Sequence, residues 1–453
     1  MESKKIVVLG AVAAGSKVAA KLKRDNPNYD ITIYTKDSNV SYSACAMPYF
    51  IGGMINNIDE LIVRDVEEFK KNGIKIYTKN ECISVNPNNN TVTVKDLTSE
   101  NIFNDNYDIL VISTGARAFL PEIEGINSHF IFKLRNLNDA QKIKNKALKS
   151  KTVTIVGGGY IGIELIENFR RLGLNVNVIE ASQNIMNVFD KDFSKIIQNY
   201  IEKKENGHVK FFLNESIEKF EHAEGYFLGT KCKKAGLIKS DFVVVSVGII
   251  PNTEFLKNSG IEFSIKSTIK VDKYMKTNIE NIYACGDCAD KNFVVTQKPI
   301  WIPLGTTANK EGRITAQNIE GENDTFSGIT AAAVTKYFDF TMSCTGLNEK
   351  TAAEYGYNFV SSFIIKEDKP SFMPNVSDVY FKLIIDKVSH KILGAQALGS
   401  ENADKSINIV SAAISAGMTV EQLADIDITY APPISSTIDI LITAAWQIIE
   451  KLK

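Results

Sequence analysis

Cys45 is the residue in this chain best placed to do chemistry. It sits in Ser41-Tyr42-Ser43-Ala44-Cys45-Ala46-Met47-Pro48-Tyr49-Phe50-Ile51-Gly52-Gly53, and the next cysteine, Cys82, belongs to a different segment. No CxxC or CxxxxC neighbour can close a local disulfide. A redox-active Cys45 must therefore cycle through a mixed disulfide, a persulfide or a sulfenic acid. The competing reading is an inert core cysteine, common in reducing compartments. Two glycine turns flank the thiol, one from Gly10 to Gly15 and one from Gly157 to Gly162. Together they suggest a flavoprotein that passes electrons from a nicotinamide to sulfur or oxygen.

The second turn carries the stronger signal. Gly157-Gly158-Gly159-Tyr160-Ile161-Gly162 fits GxGxxG in full, with an apolar strand over 152–156 and a helix over 161–172. Gly157, Gly159 and Gly162 allow a tight turn and close approach of a pyrophosphate to the helix N-terminus. Glu180 follows 18 residues after Gly162, where its carboxylate can accept hydrogen bonds from ribose hydroxyls. The same charge repels a 2′-phosphate, and Ala181-Ser182-Gln183 offer no arginine, so NADH is expected over NADPH.

The first turn is less regular. Gly10-Ala11-Val12-Ala13-Ala14-Gly15 lacks the middle glycine, and Thr35 stands where an acid is expected. Read alone, it is equally an ordinary strand-to-helix turn. Tyr283-Ala284-Cys285-Gly286-Asp287 changes the balance, because a strand ending in Gly-Asp can offer a backbone amide and a carboxylate to a flavin ribityl-phosphate. The other reading of Asp287 is a helix N-cap.

These motifs need a frame of buried parallel strands. The pattern predicts strands at 6–9 and 31–34 with a helix over 16–24 between them, and a strand at 109–112 ending in Ser113-Thr114-Gly115-Ala116. A second round follows at 152–156, 161–172 and 175–179, with further strands at 242–247 and 282–284. From about residue 326 the alternation stops. Strands at 380–385 and 392–398, joined through 386–391, read as antiparallel, and helices are expected over 404–416 and 436–450. The fold class expected is α/β, with two Rossmann-like domains and a C-terminal α+β segment suited to packing on another subunit.

Composition narrows the partners. The 453 residues provide for two to four domains, and 52 basic against 53 acidic side chains give no sign of a nucleic-acid partner. Six dispersed cysteines and four histidines lack zinc-ligand spacing, so no metal is expected. Cys285-Gly-Asp-Cys288 is formally a CxxC, but its Gly-Asp is better explained by the flavin reading. Free thiols of this kind fit a reducing cytoplasm. Lys4-Lys5 and the apolar run after them imitate a signal peptide, yet a strand feeding a phosphate loop also explains Gly10 and Gly15. No apolar run reaches the length of a membrane span.

Taken together, the first glycine turn, SYSACAMPYFIGG, GGGYIGIE, VGIIPNT, YACGD, PLGTTANKEGR and TYAPPIS resemble the single-cysteine pyridine nucleotide-disulfide oxidoreductases, the coenzyme A-disulfide reductase and NADH oxidase group. The resemblance covers nearly the whole chain. It implies an FAD domain built from residues 1–115 and 245–322, an NAD(P)H domain over 116–244, and a dimerisation domain over 323–453 forming a head-to-tail homodimer. It places Glu164 and Tyr160 near nicotinamide and flavin, and Gly115, Leu304, Gly305, Ala308 and Asn309 on the flavin side. Ser41 and Cys45 match the substrate-thiol site, Lys21 and Arg24 the charges for a coenzyme A nucleotide, and Tyr430 a proton-donating tyrosine. Lys21 and Arg24 read equally as a solvated helix face. Four sites depart from the group, among them Thr35, where the acidic FAD-ribose ligand is absent. Ala13 replaces the histidine of water-forming oxidases and peroxidases, Ala44 the asparagine before the cysteine, and Phe372-Met373 a second tyrosine.

The expected activity is NAD(P)H-driven, FAD-dependent reduction of coenzyme A disulfide, or of a related disulfide or persulfide, with coenzyme A as substrate or mixed-disulfide adduct. One alternative is an NADH oxidase or peroxidase with oxygen or peroxide as acceptor, acting through a Cys45 sulfenate. Another is a flavin redox sensor or electron-transfer protein.

Overall fold

The computed structural model describes residues 4–223, 225–400 and 403–453. Lys5–Leu9 is fully apolar from Ile6 onward and lies at the centre of a five-stranded parallel sheet. Asp30–Thr35 and then Lys75–Thr78 flank it on one side, Ile109–Ile112 and then Ile282–Ala284 on the other. Such strands are buried on both faces, which is why they read as unbroken hydrophobic runs rather than alternating ones. The helices Ala14–Asp25 and Gly305–Ile319 cover one face in close contact.

The second sheet repeats the plan. Thr152–Val156 is central, between Asn175–Glu180 with Val209–Leu213 and Phe242–Val245 with Ile131–Lys133, all parallel. The strand expected over 242–247 stops at Val245 because Ser246 turns. Its amide donates to the Val156 carbonyl at 2.8 Å and its hydroxyl to Val156 and Gly157 carbonyls at 3.1 and 3.2 Å. Two small antiparallel sheets, over 80–106 and 217–238, were not expected from the sequence.

The third sheet is antiparallel and has five strands, in the order Ala333–Tyr337, Phe340–Gly346, Ile392–Gly399, Asp378–Asp386, Phe359–Glu367. Helices Ala403–Ser415 and Ile440–Leu452 pack on it, and a short helix Val420–Ala424, set by a Thr419/Gln422 capping box, lies between them. The last helix starts at Ile440, later than the expected 436, because the Asp439 side chain caps it by accepting from the Leu441 amide at 3.0 Å.

The hairpin Ala333–Tyr337/Phe340–Gly346 grips the second nucleotide unit. Glu167 has no exposed surface, and it accepts from the Phe338 amide at 3.0 Å and from Arg171 at 2.7 Å. Tyr337 donates to Glu205 at 2.5 Å, and the Arg171 guanidinium lies 4.8 Å from the centre of the Phe338 ring. Two charges buried at the seam, Glu167 and Glu205, are thus each paired and hydrogen-bonded, as burial of charge requires.

Candidate functional site

Cys45 occupies a one-turn 3-10 helix, Ala44–Ala46, that runs into the helix Met47–Ile51. The segment is tied to the first glycine turn: the Ser41 amide donates to the Ala11 carbonyl at 2.7 Å and the Ser43 amide to the Leu61 carbonyl at 2.8 Å. Ser41 itself has φ 45°, a left-handed conformation that turns the chain toward Cys45. The Cys45 residue is exposed at its surface, but surrounding atoms push the thiol above its usual range. The carboxylates of Glu164 and Asp287 push in the same direction, and the Arg135 guanidinium opposes them. Charged groups from three other parts of the chain therefore act on one sulfur.

Glu164 lies on the second turn of the helix Tyr160–Arg171, and its Oε1 accepts from the Thr335 hydroxyl at 3.2 Å. Burial pushes its carboxyl up to about 7, with Glu167 adding and Thr335 opposing. The Tyr160 hydroxyl contacts Cys344 Sγ at 3.4 Å, and burial holds the phenol well above its usual range. Tyr49 belongs to the same cluster, pushed up to about 12 by burial, then by Glu164, Glu167 and Cys45.

The two glycine turns are geometric duplicates. A Cβ on Gly15 would stand 2.0 Å from the Gly10 carbonyl oxygen, and one on Gly162 would stand 2.2 Å from that of Gly157. Only glycine permits such approach. A serine braces each turn: Ser113 donates to the Leu9 carbonyl at 2.8 Å, as Ser246 does to Val156 at 3.1 Å. The helices that start at these turns, Ala14–Asp25 and Tyr160–Arg171, have no side-chain cap at their N-termini, and neither has Gly305–Ile319. Their first-turn N–H groups are donors of the kind that receive phosphate and carbonyl oxygens, so the residues fit two dinucleotides. Gly159 faces open space in the second turn. Glu180 is engaged with its own loop, accepting from the Gly158 amide at 2.8 Å and the Ser182 amide at 2.9 Å.

Asp287 lies 3.4 Å from Arg135 Nη2, and its carbonyl accepts from Trp301 Nε1 at 2.8 Å. No helix follows Asp287, so its alternative reading as an N-cap does not hold. The Gly286 amide is given to Glu311 Oε2 at 2.6 Å. Gly115 lies beside the same arginine, where a Cβ would stand 3.3 Å from Arg135 Nη2. Leu304 precedes the helix containing Gly305, buried Ala308 and exposed Asn309, whose amide donates to the Gly305 carbonyl at 3.0 Å. Thr35 is buried at its strand end, where its hydroxyl lies 3.4 Å from the Asp37 amide.

The remaining predicted residues lie apart. Lys21 and Arg24 both pair with Asp25 on the first helix, Arg24 at 3.4 Å and largely exposed. Tyr430 is 47 % exposed on the C-terminal segment with Ile434 and Ile438, and among the described residues no hydrogen bond joins it to the Cys45 segment. Cys285 and Cys288 are buried free thiols, and no described cluster of His, Cys, Asp or Glu suits a metal ion. Arg135, Thr335 and Trp301 escaped the sequence reading. The serines had a visible signal, the repeated Ser-x-Gly of Ser113-Thr114-Gly115 and Ser246-Val247-Gly248.

Two nucleotide turns of one design, set about a single thiol, define a two-dinucleotide oxidoreductase fold. Residues 4–312 match the pyridine nucleotide-disulphide oxidoreductase family and residues 332–441 its dimerisation domain, so the chain belongs to this family. It is 34% identical over 451 residues to the CoA-dependent NAD(P)H sulfur oxidoreductase of Pyrococcus furiosus, covering 98% of this chain and 99% of the relative. It is 32% identical over 443 residues to the coenzyme A disulfide reductase of Staphylococcus aureus, covering 96% and 98%. The water-forming NADH oxidase of Lactobacillus brevis, solved with NADH, superposes with a TM-score of 0.94 at 28% identity, covering 99% of each chain. No helix among the described residues is long and apolar enough to cross a membrane.

Proposed function

We propose that this chain is an FAD-dependent NAD(P)H oxidoreductase that reduces coenzyme A disulfide or a related disulfide or persulfide through Cys45. The observation that carries the reading is one unpaired, surface-reaching thiol set between two nucleotide turns and faced by Glu164, Asp287 and Arg135. The sulfur acceptors named for the Pyrococcus and Staphylococcus relatives support it. FAD is assigned to residues 1–115 and 245–322, with Gly10, Gly15, Gly115, Asp287 and the Leu304–Asn309 turn holding it. NAD(P)H is assigned to residues 116–244, with Gly157, Gly159, Tyr160, Gly162, Glu164 and Glu180.

Bound there, FAD supplies the two-electron relay between nicotinamide and sulfur. The chain's own part is thiol exchange. The Cys45 thiolate attacks one sulfur of the disulfide, a Cys45–S–S–R bond forms, the substrate S–S bond breaks, and one thiolate leaves. Two electrons from NAD(P)H then return Cys45 to the thiolate and free the second thiol. Glu164 and Tyr49, both with raised proton affinities, keep protons beside this sulfur. Tyr430 of a partner subunit is assigned the protonation of the leaving thiolate, in a homodimer built on the third sheet. Lys21, Arg24 and Ser41 are assigned to the coenzyme A moiety, and the free thiols suit a reducing cytoplasm.

The likeness to the Lactobacillus oxidase favours a second reading, oxygen reduction through a Cys45 sulfenate. Ala13 weighs against it. The deciding experiment compares NADH-driven turnover of coenzyme A disulfide, polysulfide and oxygen. It also takes the mass of the Cys45 peptide from protein isolated without reductant. Fast sulfur turnover and a coenzyme A or persulfide adduct are expected. Oxygen turnover alone with a Cys45 oxyacid overturns the reading.

A further inference from the structure

Behind the Asp287 turn lies an ion pair that none of the proposed steps uses. The side chains of Lys291 and Glu311 are 1% and 0% exposed, and their charged groups lie 3.5 Å apart. The two grip opposite sides of one glycine. The Gly286 amide donates to Glu311 Oε2 at 2.6 Å, and Lys291 Nζ donates to the carbonyls of Gly286 and Ala289, both at 2.9 Å. Glu311 Oε1 faces Lys291 Nζ at 3.5 Å, while Oε2 takes the Gly286 amide. A buried ion pair is a poor source of stability, since apolar residues of similar volume often serve as well, and its retention is better explained by geometry that it enforces.

We propose that Lys291 and Glu311 are positioning residues that fix the Gly286 peptide and thereby aim Asp287 at the flavin; this rests on the FAD reading given above. Gly286 has φ +81°, and a Cβ there would stand 3.1 Å from the Ala14 methyl, on the first turn of the helix that follows Gly10. Gly312, next to Glu311, packs as closely: its Cβ would stand 2.7 Å from the Ala14 carbonyl oxygen. The pair ties the Gly286-Asp287 turn to the helix Gly305–Ile319, and Gly286 and Gly312 both pack on Ala14, so three elements of the flavin side meet at this point. Asp287 follows the clamped glycine directly, with its carbonyl held by Trp301. Little freedom remains beyond the rotation of its side chain.

The test uses purified holoprotein and three variants. Lys291→Met leaves the carboxylate without its countercharge, Glu311→Gln keeps an acceptor for the Gly286 amide, and the double variant removes both charges while keeping that acceptor. FAD release is followed by flavin fluorescence after dilution, and thermal unfolding is recorded on each apoprotein. Release should be at least about tenfold faster in Lys291→Met, which removes the donor holding the Gly286 and Ala289 carbonyls and leaves the buried Glu311 carboxyl, already pushed up to about 7, to take up a proton. In Glu311→Gln it should rise by about threefold, the loss expected when a charged acceptor becomes neutral. The double variant also lacks the lysine's hold on the Gly286 carbonyl and should release FAD about as fast as Lys291→Met, while its apoprotein stability returns toward wild type because both partners of a buried pair are gone; a merely structural role would move the two readouts together.

Wild-type release rates in Glu311→Gln and the double variant overturn the proposal even if Lys291→Met does not fold. Release that accelerates only in step with lost apoprotein stability overturns it as well. Wild-type protein that binds no FAD overturns the reading of the site itself, and the positioning role with it.

Discussion

The Tyr160 hydroxyl and Cys344 Sγ lie 3.4 Å apart across the seam between the second nucleotide sheet and the third sheet. One helical turn on, Glu164 is bonded to Thr335 of the same hairpin at 3.2 Å. Tyr160 and Glu164 therefore each make a side-chain bond to the C-terminal third of the chain. Cys344→Ala should cost about 1–2 kcal/mol of stability through lost packing and raise KM for NADH more than it lowers kcat. Cys344→Ser, which restores a partner for the Tyr160 hydroxyl, should recover KM. Denaturant unfolding and steady-state kinetics check both effects.

Cys45 should react with iodoacetamide along a pH profile set by its charged neighbours. Its thiol is held up by burial and by the carboxylates of Glu164 and Asp287, so thiolate is scarce at neutral pH and alkylation accelerates as pH rises. Glu164→Gln removes a negative charge and should move the profile to lower pH, whereas Arg135→Met removes the opposing cation and should move it to higher pH. Each displacement should be up to about one pH unit. Profiles that coincide with wild type, or move the opposite way, refute the assigned neighbourhood.

Cys45→Ser should lose turnover of coenzyme A disulfide and polysulfide by at least about a thousandfold, because serine cannot form a mixed disulfide. Reduction of a dye by NADH should persist near the wild-type rate, since that half of the reaction does not require the thiol. Equal disulfide turnover in mutant and wild type would make Cys45 structural.

NADH should be preferred over NADPH in kcat/KM by at least about tenfold, the effect of one repelling carboxylate on a 2′-phosphate. Glu180→Ala should narrow the gap by improving NADPH. The Glu180 side chain also accepts from the Gly158 and Ser182 amides, so KM for NADH should rise in the same variant. A wild-type enzyme indifferent to the phosphate removes Glu180 as the selector.

Subunit mixing checks the assignment of Tyr430. Cys45→Ser and Tyr430→Phe homodimers are each expected to be impaired, and co-refolded heterodimers should regain up to about half of wild-type turnover, as one native site of two is restored in an isologous dimer. Verified heterodimers without that gain place Tyr430 outside the partner's Cys45 site.

Much of this was legible because local chemistry demanded it. The buried runs at Lys5–Leu9 and Thr152–Val156 and the glycines after them could be read from residue type alone, since parallel strands are apolar throughout and only glycine fits those turns. Cys45 could be singled out by its isolation. Arg135 could not. It comes from the loop after Ile131–Lys133, and it meets Asp287 and acts on Cys45 only in the folded chain. The fate of the Gly286 amide was hidden for the same reason: its acceptor, Glu311, lies 25 residues away, on a helix whose register no local pattern reveals. The small sheets over 80–106 and 217–238 have mixed, half-exposed strands that give no clean alternation.

The grip of the Ala333–Gly346 hairpin bears on modularity. Glu167 and Glu205 find part of their hydrogen bonding in Phe338 and Tyr337, across the seam. Excised as a cassette, the second nucleotide unit would turn these interior carboxylates outward, beside the apolar surface that Phe338 and Phe340 had covered. Grafted onto a foreign C-terminal partner, it would present acids to a face not shaped to receive them. The second βαβ unit resembles a separable module in its strand order, yet in its side chains it is fitted to this one neighbour, so exchange between relatives has to move hairpin and helix together.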